Sequence, residues 1–161
     1  LQSGAIDATE WVGPWNDLAF GFYKVTKFYY YPGFHEPGST LSCGMNKGVW
    51  DSLSATHQAI VSGACQAENN RMFSEYNAKN SDALDTLITE HGVQLRRQSD
   101  DILRAIGTAS DEVLLEVGGT DEISKRIYDN FMGFRKKAMG WTSLSETAYT
   151  AARALDKKLG V

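Results

Sequence analysis

Apolar residues recur near helical period from Ser54 to His91, the longest patterned stretch of the chain. Leu53, Ile60, Val61, Ala64, Met72, Tyr76, Leu84, Leu87 and Ile88 carry the pattern, and no proline interrupts it. Ser54 is a fitting N-cap, Gly92 a natural stop, and His91 in the last turn suits the helix dipole. At about 1.5 Å per residue such a helix spans roughly 55 Å. A single globule of this chain length would be only about 30 Å across. A helix this long suits a molecule of two lobes, running along both.

Ahead of that helix the pattern is shorter and denser in rings. Ile6 to Val12 reads as a short strand, with Glu10 and Trp11 near its C-terminal end, where ligands collect in open α/β sheets. Gly13-Pro14 turns the chain into a helix, with Leu18, Phe22 and Val25 on one face and Lys24 and Lys27 on the other. Phe28 to Tyr31 is β-prone and Pro32-Gly33 breaks it. Ser39 to Asn46 alternates Leu41, Cys43 and Met45 with small polar residues and reads as a strand. Lys47 to Leu53 is a short helical segment carrying Trp50.

Behind the long helix, Val93 to Arg97 forms a short strand or extended link. Ser99 opens a helix with an acidic first turn at Asp100 and Asp101 and an apolar stripe of Ile102, Leu103, Ile106, Val113, Leu114 and Val117. Gly118-Gly119 ends it. Thr120 opens the next, with Ile123, Ile127, Phe131 and Phe134 facing inward, and Gly140-Trp141 breaks it. Ser143 and Glu146 fit a capping box for a last helix over about Ser143 to Leu159. The expected organisation is a strand-and-turn segment over 1–53, a connecting helix over 54–91 and C-terminal helices over 92–161. No internal repeat or low-complexity tract is present.

Composition changes this picture little. The chain of 161 residues is 42% hydrophobic and 22% charged, which fits an ordinary globular protein. A net charge of -4 argues against a nucleic-acid partner. No run is long and apolar enough to span a membrane. Cys43 and Cys65 do not make a disulfide framework; they are two small buried residues or one pair. The opening residues, Leu1 to Asp7, look like a helix end, a glycine stop and a strand start, which suggests the C-terminal piece of a longer chain.

Candidate chemistry lies at the two ends of Glu10 to Pro37. Glu10-Trp11 and Phe34-His35-Glu36 each set a carboxylate beside rings, and a buried carboxylate needs a partner. If Glu10 and Glu36 converge, they form an acid/base pair or a site for a hard cation, Na⁺ or Ca²⁺ rather than zinc. Otherwise they are ordinary surface glutamates. Trp11, Trp15 and Phe34 either wall a pocket or form plain core. Asn16 and Asp17 read as caps of the helix after Pro14. His35 reads as a turn or core histidine, and His57 and His91 as surface residues. The usual signatures of hydrolases, nucleotide binders and zinc enzymes are absent. Two other readings of these residues are a metal-assisted hydrolase or lyase using Glu10, His35 and Glu36, and a helical oligomerisation domain.

The run Ile6-Asp7-Ala8-Thr9-Glu10-Trp11-Val12-Gly13-Pro14-Trp15-Asn16-Asp17 resembles a known family, as does Tyr30-Tyr31-Pro32-Gly33-Phe34-His35-Glu36-Pro37-Gly38. These are the extracytoplasmic solute-binding proteins of tripartite ATP-independent periplasmic (TRAP) transporters, in the branch for 2-oxo acids such as pyruvate and related monocarboxylates. Gln66 to Arg71 is similar to the same branch. The resemblance covers nearly the whole chain and maps it to the C-terminal half of such a protein. It implies a helix-rich α/β receptor of two lobes, periplasmic and not an enzyme, with a long helix crossing both lobes. It implies a bound cation, Na⁺ or Ca²⁺, held by a side-chain oxygen of Glu10, the backbone carbonyl of Trp11, and Glu36.

Trp11, Trp15 and Phe34 would face the ligand, Phe34 standing where the family often has tryptophan. The partners implied are the membrane permease subunits and, through the C-terminal helix, a second copy. The family grips the ligand carboxylate with an arginine from the first half, suited by its planar fork. No arginine of this chain lies near either motif. The chain alone is therefore expected to bind weakly or not at all.

Overall fold

The structure is a computed structural model and describes residues 1–34, 38–39 and 41–155. The described chain divides into two compact units, 1–99 and from 100 onward.

The first unit is built on helix α3. Three shorter helical pieces precede it: α1 (Pro14–Phe20), a 3₁₀ turn (Phe22–Lys24) and α2 (Lys47–Ser52). Helix α3 runs Ala55–Thr89, 35 residues, about 52 Å long at the usual rise. Its start is the expected one: the Ser54 hydroxyl accepts the His57 N–H at 3.2 Å. Gly92 just beyond its end has φ 65°, the left-handed conformation that favours glycine. Strands β1 (Phe28–Tyr31) and β2 (Gln94–Arg97) pair in parallel, Phe28 against Gln94 through Tyr31 against Arg97. The crossover between them contains α2 and α3.

The core of this unit is small and lies at the far end of α3. Ala83, Leu87 and Val93 are its buried apolar residues, and Leu87 is only 2% exposed. The chain folds back just after the helix, where the Val93 N–H donates to the Leu87 carbonyl at 2.9 Å. The Tyr23 ring stacks on His91 with centroids 3.7 Å apart, and Lys27 Nζ donates to the His91 carbonyl. His91 is thus a packed residue beyond the helix end, not a surface residue of its last turn.

Several expectations need correction. Ile6 to Val12 and Ser39 to Asn46 are not strands over their described residues. The one sheet there has only β1 and β2, so neither segment has a neighbour to satisfy its backbone. Leu41, in the second segment, is 84% exposed. The helix after Pro14 stops early, at Gly21, which adopts φ 73° and donates back to the Asp17 and Leu18 carbonyls. The chain then continues as the 3₁₀ turn. Cys43 and Cys65 are exposed free thiols, not core.

The second unit contains α4 (Asp100–Gly118), α5 (Glu122–Leu144) and α6 (Glu146–Ala154). Asp121 rather than Thr120 caps α5, accepting the Ser124 N–H at 2.8 Å. Helices α4 and α5 meet where Gly118 lies under Tyr128; a Cβ on Gly118 would stand 2.7 Å from the Tyr128 ring. Arg135 pairs with Asp111 across the same two helices at 3.1 Å.

The less exposed side of α5 is therefore Ser124, Tyr128, Met132 and Arg135. Ile123, Ile127, Phe131 and Phe134, the stripe expected to be buried, are exposed among the described residues. On α4, Leu103, Ile106 and Leu114 are partly covered, whereas Ile102, Val113 and Val117 are exposed. Gly140-Trp141 does not break α5, which runs on to Leu144. The break comes at Ser145. The Ser143–Glu146 capping box does not form, because the Ser143 hydroxyl donates back to the Gly140 carbonyl.

Candidate functional site

The segment carrying Glu10, Trp11 and Trp15 is held on one face of α3. Proline at the first position of α1 needs no N–H partner, but the next residue does. No local side chain caps this helix. The donor is satisfied from a distance: the Trp15 N–H donates to Asn80 Oδ1, 65 positions along the chain, at 3.0 Å. Gly13 makes this approach possible, since a Cβ there would stand 3.3 Å from the same oxygen.

The Trp15 ring packs edge-on against Tyr76 with centroids 5.1 Å apart. Lys79 Nζ sits 4.2 Å from the centre of the indole, within cation–π range. Tyr76, Lys79 and Asn80 are spaced three and four apart, so they share one side of α3. Trp15 is partly covered by this face, and Trp11 meets Phe20 edge-on at 5.8 Å. Trp11 is half exposed, as is Phe34.

Asp17, expected to cap α1, is instead a buried carboxylate. The Tyr29 hydroxyl on β1 donates to its Oδ2 at 2.5 Å. Its other oxygen, Oδ1, and Asn16 Oδ1 are buried without a hydrogen-bond partner among the described residues. Burial pushes the Asp17 carboxyl above the usual carboxylate range; the Tyr29 hydrogen bond opposes this, and the negative charge of Glu10 adds to it. The Tyr29 hydroxyl is pushed well above the ordinary phenol range, first by burial and then by its bond to Asp17. Glu10 itself is exposed. The Glu10 carboxylate, ahead of α1, thus acts on the buried Asp17 within that helix.

The described residues contain no cluster of three or more His, Cys, Asp or Glu side chains able to hold a metal ion. Glu36 and His35 lie outside the described residues. The oxygens present around α1 are hard donors, a carboxylate and backbone carbonyls, which suit Na⁺ or Ca²⁺ over zinc. They fit such a cation in kind, but within the described residues they are too few to enclose it. Sequence reading singled out Glu10, Trp11 and Trp15 but missed Asn80 and Tyr29, and it misassigned Asp17. A lone amide inside a helix carries no local signal, and Tyr29 was one ring in a run of three.

Comparisons with known proteins identify the family and the fold. Residues 1–119 match the family DctP, bacterial extracellular solute-binding protein, family 7. A monocarboxylate 2-oxoacid-binding periplasmic protein of Nostoc sp. is 37% identical over 149 residues, covering 92% of this chain and 41% of that protein. A TRAP transporter solute-binding protein of Bordetella bronchiseptica superposes with TM-score 0.89 at 32% identity, over 96% of this chain and 47% of its own. Its crystal structure is a mixed-occupancy dimer with copurified calcium and picolinate in one active site and an apo second site.

A TRAP periplasmic solute-binding protein of Pseudoalteromonas atlantica, with bound sodium and pyruvate, superposes with TM-score 0.86 at 32% identity, over 94% and 46%. The chain thus spans less than half the length of each of these relatives. Among the described residues, no helix is long and apolar enough to cross a membrane. The matched family is one of solute-binding proteins and not a class of enzyme, which speaks against the hydrolase or lyase reading of Glu10, His35 and Glu36. The helix-rich fold, the α3-borne motif and these matches lead to one conclusion: the chain belongs to the DctP family of bacterial extracellular solute-binding proteins.

Proposed function

We propose that this chain is the C-terminal part of a periplasmic TRAP receptor for a small carboxylate, a 2-oxo acid such as pyruvate or a related monocarboxylate. The receptor takes up its ligand with a cation, Na⁺ or Ca²⁺, and delivers it to the membrane permease subunits. In this reading Glu10 offers a side-chain oxygen, Trp11 its backbone carbonyl, and Glu36 a second carboxylate to the ion. The ion supplies positive charge that offsets the ligand carboxylate. Trp11, Trp15 and Phe34 wall the pocket. The chain divides into a site-bearing segment over 1–53, a lobe-connecting helix over 54–91 and C-terminal helices over 92–161, the last of which can pair two copies.

The observation that supports this most is the superposition of nearly the whole chain on two receptors that hold a carboxylate together with a cation. The buried Asp17 beside Glu10 fits it, because a cation near Glu10 would lower the electrostatic cost of both carboxylates.

The test is calorimetry and tryptophan fluorescence with pyruvate, with and without Na⁺ or Ca²⁺, on protein of the relatives' length and on the 161-residue chain. The longer protein is expected to bind saturably, without turnover, and to lose at least about tenfold in affinity, roughly 1.4 kcal/mol, in Glu10→Gln. The 161-residue chain is expected to give no binding heat at millimolar pyruvate. Cation-independent binding, or a Glu10→Gln variant that binds as tightly as wild type, would overturn the reading.

A further inference from the structure

The two cysteines are placed together by different parts of the first unit. Cys43 lies in the extended stretch ahead of α2, and Cys65 lies in the first half of α3. Both are exposed, unoxidised thiols, and both line one hollow together with Met45, Trp50 and Val61. Cys65 also borders a second hollow, beside Gln66 and Asn69. Lys47 and Ser62 complete the lining of the first hollow, and both thiols are exposed to an incoming disulfide. No third metal-ligating side chain joins the two thiols among the described residues.

We propose that Cys43 and Cys65 are a disulfide-forming pair, which when oxidised pins the segment between β1 and α2 to the long helix. The two thiols line the same hollow, and the influence of Cys43 is the main cause that raises the Cys65 pKa. A disulfide oxidant, glutathione disulfide or a dithiol oxidoreductase, is attacked by the thiolate of one cysteine, releasing one oxidant thiolate. The other cysteine then gives its proton to water and attacks the protein sulfur of the mixed disulfide, expelling the second oxidant thiolate. Two protein S–H bonds are lost and one S–S bond is made. The oxidant's S–S bond is reduced to two thiols, which take up the two protons.

The bridge would span α2 and the start of α3, and it would restrain the described residues 41–46 ahead of α2. It does not depend on the ligand assignment above. The periplasmic reading bears only on where the oxidant is met, since disulfides persist in that compartment.

The experiment starts from fully reduced, purified protein, incubated natively in a glutathione redox buffer, then quenched with acid and digested without reductant. The expected product is a single linked peptide pair joining Cys43 to Cys65, in a monomer lighter by two hydrogens. The native protein should close this bridge about tenfold more readily than the urea-unfolded one, because folding raises the local concentration of the thiols. Cys43→Ser and Cys65→Ser should each retain glutathione on the remaining cysteine. Separate glutathione adducts on both cysteines of the wild type, two thiols that stay free, links only between molecules, or equal closure in urea would each overturn the proposal. Ligand binding, measured separately on the reduced protein, decides the receptor reading and not this one.

Discussion

The two ends of helix α3 differ sharply although they belong to one continuous element. Its second half carries Tyr76, Lys79, Asn80, Ala83 and Leu87, and every one of these meets another element or is buried. Its first half is mostly bare: Ile60 is 61% exposed, and Phe73, at the boundary, 73%. What touches the first half is light, a Gln58 amide donating to the Trp50 carbonyl and the Cys43–Cys65 contact. Helix formation itself does not distinguish the two ends, since capping and backbone bonding serve both. Order in the candidate site is therefore a property of packing at one end, and the Glu10–Trp11 segment is fastened to the packed end through α1.

The largest expected effect tests that contrast directly. Leu87→Ala should cost about 2–5 kcal/mol, the usual range for a buried leucine, whereas Ile60→Ala should cost under about 0.5 kcal/mol. Urea unfolding followed by circular dichroism reads both. Equal losses would mean that the first half of α3 is as well packed as the last, contrary to the burial seen.

A middle effect concerns the Asp17–Tyr29 pair. Tyr29→Phe removes the hydroxyl that serves a buried carboxylate and should cost about 1–3 kcal/mol near neutral pH. The pH dependence has a definite sign. Asp17 has a folded pKa above its unfolded value, so its favourable contribution is complete below about pH 4. That contribution is lost as pH rises through the raised value, because the folded state there binds a proton the unfolded chain has released. Tyr29 acts alike at the alkaline end: stability falls as pH rises beyond about 10. Thermal melts across pH should show both declines, Asp17→Asn should remove the acidic one, and Tyr29→Phe the alkaline one. A wild-type profile flat through both windows would place the pair in water rather than in the core.

The smallest effect is the cap supplied from α3. Asn80→Ala should lose about 1 kcal/mol, the range of an ordinary N-cap, and should change the surroundings of Trp15. The readout is tryptophan fluorescence, because Asn80 fixes the backbone that carries the Trp15 indole. An emission spectrum indistinguishable from wild type would show that Tyr76 and Lys79 hold Trp15 without Asn80.

Much of the fold could be read from residues alone where punctuation and period agree. Ser54 and Gly92 bracket α3, Pro14 opens α1, and Pro32-Gly33 closes β1. The parts that were misread share a cause. Apolar residues in Ile6–Val12 and the alternation in Ser39–Asn46 report which side chains prefer an interior, but a strand also needs a paired neighbour, and none is present among the described residues. On α5 the most apolar stripe is not the inner face. The contact with α4 is made instead through Tyr128, over a glycine that leaves space for its ring, and through Arg135 with Asp111.

At the site, Glu10, Trp11 and Trp15 stood out because acid and rings are adjacent in sequence. The burial of Asp17 depends on Tyr29, twelve residues away, and no local pattern announces such a pairing.

The close approach of Gly13 to Asn80 bears on where the proposed site can be altered by design. Phe34 and Trp11 are half exposed. Position 13 is crowded instead: a methyl group there would stand 3.3 Å from the amide oxygen that caps the neighbouring helix. Redesign of the proposed pocket should therefore begin at the exposed rings and leave Gly13 and its amide clasp untouched.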